Sequence, residues 1–193
     1  MAGSEVAQVN AERRRRLKEL ILKFSYQKRE VRLASGRMSD FYFDGKQTTL
    51  HPEGATLVGQ LMGELAAEHF AEAQAVGGPT LGADPIATAI AVTSFLRGFP
   101  LLSFIVRKEP KGHGTMSWIE GASHLRPGMR VILVEDVITT GGSILKACKA
   151  VREAGLVPLG VMVIVDREEG GREALEAEGL KVCSLFTKTE LLA

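Results

Sequence analysis

Residues 130–155, RVILVEDVITTGGSILKACKAVREAG, limit what this chain can fold into more than any other stretch. Four apolar residues, Val131, Ile132, Leu133 and Val134, run into two acids, Glu135 and Asp136. A turn rich in hydroxyls and glycine follows (Thr139, Thr140, Gly141, Gly142, Ser143), and then apolar residues at helical spacing. A solid apolar run of strand length, a glycine turn and a helix make a βα unit of a parallel sheet covered on both faces. Free N–H groups at a helix start attract anions, and glycine lets a phosphate come close. Two carboxylates at the strand end can accept hydrogen bonds from vicinal hydroxyls or hold a hydrated cation. A phosphate and a sugar diol therefore fit side by side. Capping explains Ser143 and the glycine pair, but not two acids ending a buried strand, where unpaired charge is costly. The stretch lacks the GK[ST] of a Walker loop and the GxGxxG of a dinucleotide fold.

The rest of the chain repeats this alternation. Leu17, Leu20, Ile21 and Phe24 sit at i, i+3, i+4 and i+7 and predict an amphipathic helix, with Arg13–Arg16 as a solvated basic first turn. Residues 35–50, SGRMSDFYFDGKQTTL, alternate aromatic and polar side chains between glycines and suggest a short hairpin. A long helix is expected over 52–70, and another over 86–96, with Asp84 as its N-cap and Pro85 in the first helical position. Strands are expected at 101–106, 130–135, 159–166 and 181–187, with helices at 143–154 and 172–179. The fold class is α/β: a central, mostly parallel sheet flanked by helices. All 193 residues form one domain, in which about 1–50 make an N-terminal helix and hood and about 51–193 the core.

Composition narrows the function. A net charge of +1 gives no electrostatic case for nucleic acid, and no apolar run reaches the roughly 20 residues of a membrane span. The N-terminal MAGSEVAQVNAERRRR lacks the apolar segment of a signal peptide. The two cysteines, Cys148 and Cys183, have no metal-binding spacing and read as buried small hydrophobes in a reducing cytoplasm.

Three further groups carry chemistry. Arg107-Lys108-Glu109-Pro110-Lys111-Gly112-His113-Gly114 puts three cations and a histidine in a segment that cannot be helical. A mobile basic loop can close over a departing anion and exclude water. The plainer alternative is a solvated surface loop. Arg167, after Asp166 at the end of the next strand, can fork onto a carboxylate. Tyr42 and Phe43 could pack against a flat ring, or simply against the hood.

VILVEDVITTGGS is similar to the phosphoribosyl-pyrophosphate (PRPP) signature of the type I phosphoribosyltransferases, and RKEPKGHG resembles the flexible loop of orotate phosphoribosyltransferases. The SGRMSDFYF segment and the Asp166-Arg167 pair fit the same family. The resemblance implies transfer of ribose 5-phosphate from PRPP to orotate in pyrimidine synthesis, in a cytoplasmic enzyme. It implies that Glu135, Asp136, Val137, Ile138, Thr139, Thr140, Gly141, Gly142 and Ser143 hold PRPP, with Arg107, Lys108, Lys111 and His113 on its pyrophosphate. Lys111 and Asp136 are the implied catalytic residues, and Thr139, Arg167, Tyr42 and Phe43 the orotate contacts. Mg2+ is implied as cofactor, held through PRPP and water rather than by protein ligands. A homodimer is implied, with Lys108 acting in the partner's site, and no nucleic acid or membrane partner. Alternatives are a phosphoribosyltransferase for another base, or a PRPP-sensing regulator without catalysis. Two positions depart from the family pattern: Ala34 stands where many members have lysine before SGR, and Leu81-Gly82 where many have Tyr-Lys.

Overall fold

Crossing from the third to the fourth strand and back across the sheet gives this molecule its organisation. The computed structural model describes residues 2–32, 38–109 and 118–193. The main sheet has six strands in the order β5-β4-β3-β6-β7-β8. They are β3 (Ala75–Pro79), β4 (Leu102–Val106), β5 (Ile119–Glu120), β6 (Arg130–Ile138), β7 (Val157–Asp166) and β8 (Lys181–Thr187). All neighbours pair parallel except the short β5, which runs antiparallel to β4. The chain winds one way from β3 to β4 and the other way from β6 through β7 to β8. Loops after β3 and β6 therefore part at the carboxyl ends of adjacent strands and leave a crevice, the usual ligand position in an open α/β sheet.

Helices α3 (Pro52–His69) and α4 (Ala83–Leu96) belong to one face, and α5 (Gly142–Glu153) and α6 (Gly171–Ala177) to the other. Strand β6 lies between the two cores. Ile132 and Val134 join the cluster with Val58, Met62, Ile86 and Ile90, whereas Val131 and Leu133 join the one with Ile144, Val151 and Leu175. Burial on both sides is why the run at 131–134 is apolar without alternation.

The N-terminal region is more regular than its sequence suggests. Helix α1 spans Ala2–Leu20 and continues as a π-helical turn over Ile21–Ser25. The four arginines thus lie inside the helix rather than in its first turn, and all four are partnered. Arg13 pairs with Glu64 and Arg16 with Glu53, both on α3, while Arg15 pairs along its own helix with Glu12 and Glu19. Arg14 donates to the Leu185 carbonyl at 3.1 and 2.6 Å. The expected hairpin begins earlier, as β1 (Tyr26–Arg32) paired antiparallel with β2 (Met38–Phe43), and the short α2 (Lys46–Thr49) follows. The SGR portion at 35–37, with Ala34, lies outside the described residues. A last helix, α7 (Lys188–Leu192), starts in a capping box built by Thr187 and Glu190, a signal the hydrophobic pattern does not carry. Cys148 is buried as expected, and Cys183 is only partly so.

The crevice depends on close backbone contact. A Cβ on Gly78 would come within 2.1 Å of the Val134 carbonyl oxygen and 2.8 Å of Ala83 Cβ. Strand β3, helix α4 and strand β6 meet at that point without a side chain between them. Gly78→Ala is expected to destabilise the fold by about 3 kcal/mol, lowering Tm by about 6–12 °C in a thermal melt.

Candidate active site

Strand β6 runs three residues past the expected end, so Glu135 and Asp136 sit within it rather than at its tip. Continued pairing with β7, through Glu135↔Val163, Val137↔Val165 and Ile138↔Asp166, keeps the backbone extended. Both acids are consequently buried, at 8% and 7% exposure. Glu135 Oε2 accepts from Ser143 Oγ on α5 at 3.0 Å. Ser143 therefore ties α5 to the strand instead of capping the helix. Asp136 is packed against Gly45, where a Cβ would lie 2.5 Å from its own Cβ.

The two carboxylates converge on Gly82. A Cβ there would be 2.7 Å from Glu135 Oε1 and 2.7 Å from Asp136 Oδ1. Glycine at this position leaves both acids facing the crevice. Burial, and then the charge of Asp136, push the Glu135 carboxyl up to about 8. Burial also raises Asp136, partly offset by Lys46. Lys46 is itself fastened to Asp44 Oδ1 at 2.6 Å. Gly82 also takes the N-cap position of α4, which starts at Ala83. Asp84 thus falls inside the first turn, where its Oδ2 accepts from Thr80 Oγ1 at 2.7 Å. Its Oδ1 is buried without a partner among the described residues.

The turn after β6 is open toward solvent. Gly141 has φ +78°, a left-handed conformation suited to glycine, and no side chain caps α5. Thr140, Gly142 and Ser143 are exposed. From below, Gly171 braces the turn: a Cβ on it would meet the Thr139 carbonyl at 2.7 Å. The turn thus presents an uncapped helix start, with its dipole, to an anion.

A cavity of about 850 Å3 joins this turn to the basic segment, lined by Pro79, Thr80, Arg107, Lys108, Ser143 and Lys146. Arg107 pairs with Glu120 at 2.8 Å, which points its guanidinium along the antiparallel edge. Lys108 is exposed. Lys111 and His113 lie outside the described residues.

Arg167 follows β7 directly. Its N–H donates to the Ile138 carbonyl at 3.1 Å, which places it beside the Thr139 turn. Its Nη2 lies 2.8 Å from Glu169 Oε1, and its guanidinium is 5.2 Å from the centre of the Phe41 ring. Strand alternation separates the two aromatic candidates. Phe43 stacks with Phe41 at 6.2 Å, whereas Tyr42 lies under Arg29 at 3.8 Å. The aromatic ring that meets Arg167 is Phe41, which sequence reasoning passed over although it alternates with Tyr42. Glu169 and Lys46, both recruited through space, were also missed, and Asp84 was read only as a cap.

Among the described residues, no group of three or more His, Cys, Asp or Glu side chains is placed to hold a metal ion. Burial works against charge on both carboxylates, so they suit sugar hydroxyls, or water on an ion that a substrate carries, better than direct metal ligation. The site therefore fits a cation that arrives with its ligand. No helix among the described residues is long and apolar enough to cross a membrane.

A phosphoribosyl transferase domain matches residues 46–182, and the chain belongs to that family. Within it the chain groups with the orotate phosphoribosyltransferases. It is 55% identical over 161 residues to the one from Aquifex aeolicus, covering 83% of this chain and 86% of that protein. It is 48% identical to the one from Sorangium cellulosum, with 94% of each covered. The Mycobacterium tuberculosis H37Rv enzyme in complex with Fe(III) dicitrate superposes with a TM-score of 0.81 at 44% identity, over 93% of this chain and 98% of that one. The same enzyme in complex with PRPP gives 0.77 at 41% identity, over 94% and 99%.

The raised Glu135 carboxyl makes stability depend on pH. A group whose folded pKa lies above its unfolded value stabilises the fold fully below about 4.5, and that contribution is lost as pH rises through about 8. Glu135→Gln is expected to melt at a higher temperature than the unaltered chain at pH 8, with the gap closing toward pH 5. Parallel melting curves across that range would contradict the assignment.

Proposed function

We propose that this chain transfers ribose 5-phosphate from PRPP to orotate, giving orotidine 5′-monophosphate and pyrophosphate, in pyrimidine biosynthesis in the cytoplasm. One observation supports this above all: an uncapped helix start, two buried carboxylates and Arg167 meet at the carboxyl ends of the adjacent strands β6 and β7. A sugar phosphate fits the first two, and an acidic base fits the third. The unit is a single one over 1–193, with the hood of about 1–50 closing over the base.

N–H groups of the 139–143 turn, that of Ser143 included, bind the 5′-phosphate with the Thr139 and Thr140 hydroxyls, and Val137 and Ile138 carry the chain into that turn. Glu135 and Asp136 accept hydrogen bonds from the ribose hydroxyls and hold the ring while positive charge develops at C1′. Orotate N1 forms the new bond to C1′ as the bond from C1′ to pyrophosphate oxygen breaks. Arg167 aligns orotate through its carboxylate, beside Thr139 and the hood aromatics Tyr42 and Phe43. Arg107, Lys111 and His113 draw in the pyrophosphate. A bound Mg2+ would neutralise charge on the substrate, and Glu135 and Asp136 are the residues that would hold it, through water. Little acid–base work falls to the protein, so positioning and electrostatics carry the rate.

The working form is a homodimer in which Lys108 reaches the partner's site. Leu50, Leu81, Val92, Phe95 and Leu96 are all exposed, and an apolar hollow of about 800 Å3 lies between α2, α3 and α4. Contiguous apolar surface of this kind favours a second copy over solvent.

The defining assay is the loss of orotate absorbance on adding PRPP and Mg2+, with each omitted in turn; turnover of adenine, xanthine or uracil but not orotate would redirect the reading. Lys111→Ala is expected to lower kcat by roughly 10²–10³, the scale of one lost transition-state donor. Lys108→Ala and Asp136→Ala proteins, each inactive alone, are expected to regain activity when mixed. Failure to complement would argue against a shared site.

A further inference from the structure

Arg167 meets an acidic ligand with its charge already partly balanced. Its guanidinium is 7% exposed and ion-paired at 2.8 Å to Glu169, which is 17% exposed. The pair is neutral as a unit. A carboxylate bound by Arg167 brings a second negative charge to one cation, and burying charge that is not balanced is costly.

A second cation lies next to it. Thr187 and Asp166 are register partners in β8 and β7. Lys188 and Arg167, each the following residue, therefore emerge side by side at the carboxyl edge of the sheet. Both reach the same ring: Lys188 Nζ lies 5.4 Å and Arg167 Cζ 5.2 Å from the centroid of Phe41. Phe41 is 1% exposed and is itself held by Tyr26 and Phe43. A fixed aromatic ring thus gathers two cationic heads that would otherwise repel each other. Lys188 makes no ion pair among the described residues. The neighbouring Glu168 senses its charge, but the Glu168 carboxylate accepts from the Thr189 N–H at 2.8 Å and hydroxyl at 2.6 Å.

We propose that Lys188 is a second reader of the pyrimidine's carboxylate, set beside Arg167 by strand register and by Phe41. It supplies the net positive charge that Arg167, balanced by Glu169, lacks. Such a cation also bears on the departures at Ala34 and Gly82, neither of which can offer charge to an anionic base. This inference rests on the orotate reading above and makes Lys188 a specificity-determining residue for it.

Steady-state kinetics of the full-length chain test this with orotate, PRPP and, as a ligand without the carboxylate, uracil used as inhibitor. Lys188→Met is expected to raise the orotate KM about tenfold, the size of one lost charge-assisted hydrogen bond. The PRPP KM and uracil inhibition stay within about twofold. Lys188→Gln gives the same change, and Lys188→Arg restores most of the affinity. An unchanged orotate KM overturns the proposal. So does an equal rise for orotate and PRPP, or an equal loss of orotate and uracil, because a merely structural lysine would act on all of them. An unaltered chain that does not turn over orotate at all would instead remove the parent reading, and this one with it.

Discussion

Two carboxylates held almost out of water are the constraint around which this molecule is arranged. Glu135 and Asp136 have to be buried to face the crevice, and burial is costly for either acid once ionised. The surrounding chain lowers that cost in parts. Ser143 donates to one acid from α5, Lys46 sits near the other from the hood, and Gly45 and Gly82 give both of them room. Three separate regions of sequence therefore meet at two consecutive residues. The start of α5, the hood and the loop after β3 are all placed by reference to them.

The apolar sheet carries the same logic outward. Parallel pairing sets the carboxyl ends of β6 and β7 level, at Ile138 and Asp166, and Gly78 lets β3 come close to β6 and the start of α4. What emerges from the strand ends is hydroxyls and N–H groups after β6, an arginine after β7 and a lysine after β8. Each strand contributes one step of a row of polar groups, in an order the topology dictates.

Much of this was legible beforehand. Solid apolar runs at 131–134 and 159–166 predict a two-sided parallel sheet, and the acids and glycine turn predict what lies at its edge. What could not be read had a physical cause in each case. Helix α1 extends back to Ala2 although its early residues have no apolar stripe, and arginines reaching α3 and β8 supply its docking instead. Asp84 looked like a cap because its type suits one, but Ala83 packs against β3 and starts the helix sooner. Ser143 looked like a cap and serves as a tether. Phe41, Glu169 and Lys188 acquire meaning only when β2, β7 and β8 are brought together, and no local pattern encodes that meeting.

The outer strands carry one more consequence. On one side the sheet ends in β5, only two residues long. On the other it ends in β8, where Arg172 donates to the Val182 carbonyl and Arg14 to that of Leu185. A strand arriving from a neighbouring molecule would find one border too short to template pairing and the other with acceptors already taken. Residues that look like surface decoration in the sequence, an arginine run near the start and a lone arginine near the end, thereby work against edge-to-edge aggregation of an otherwise strongly apolar sheet.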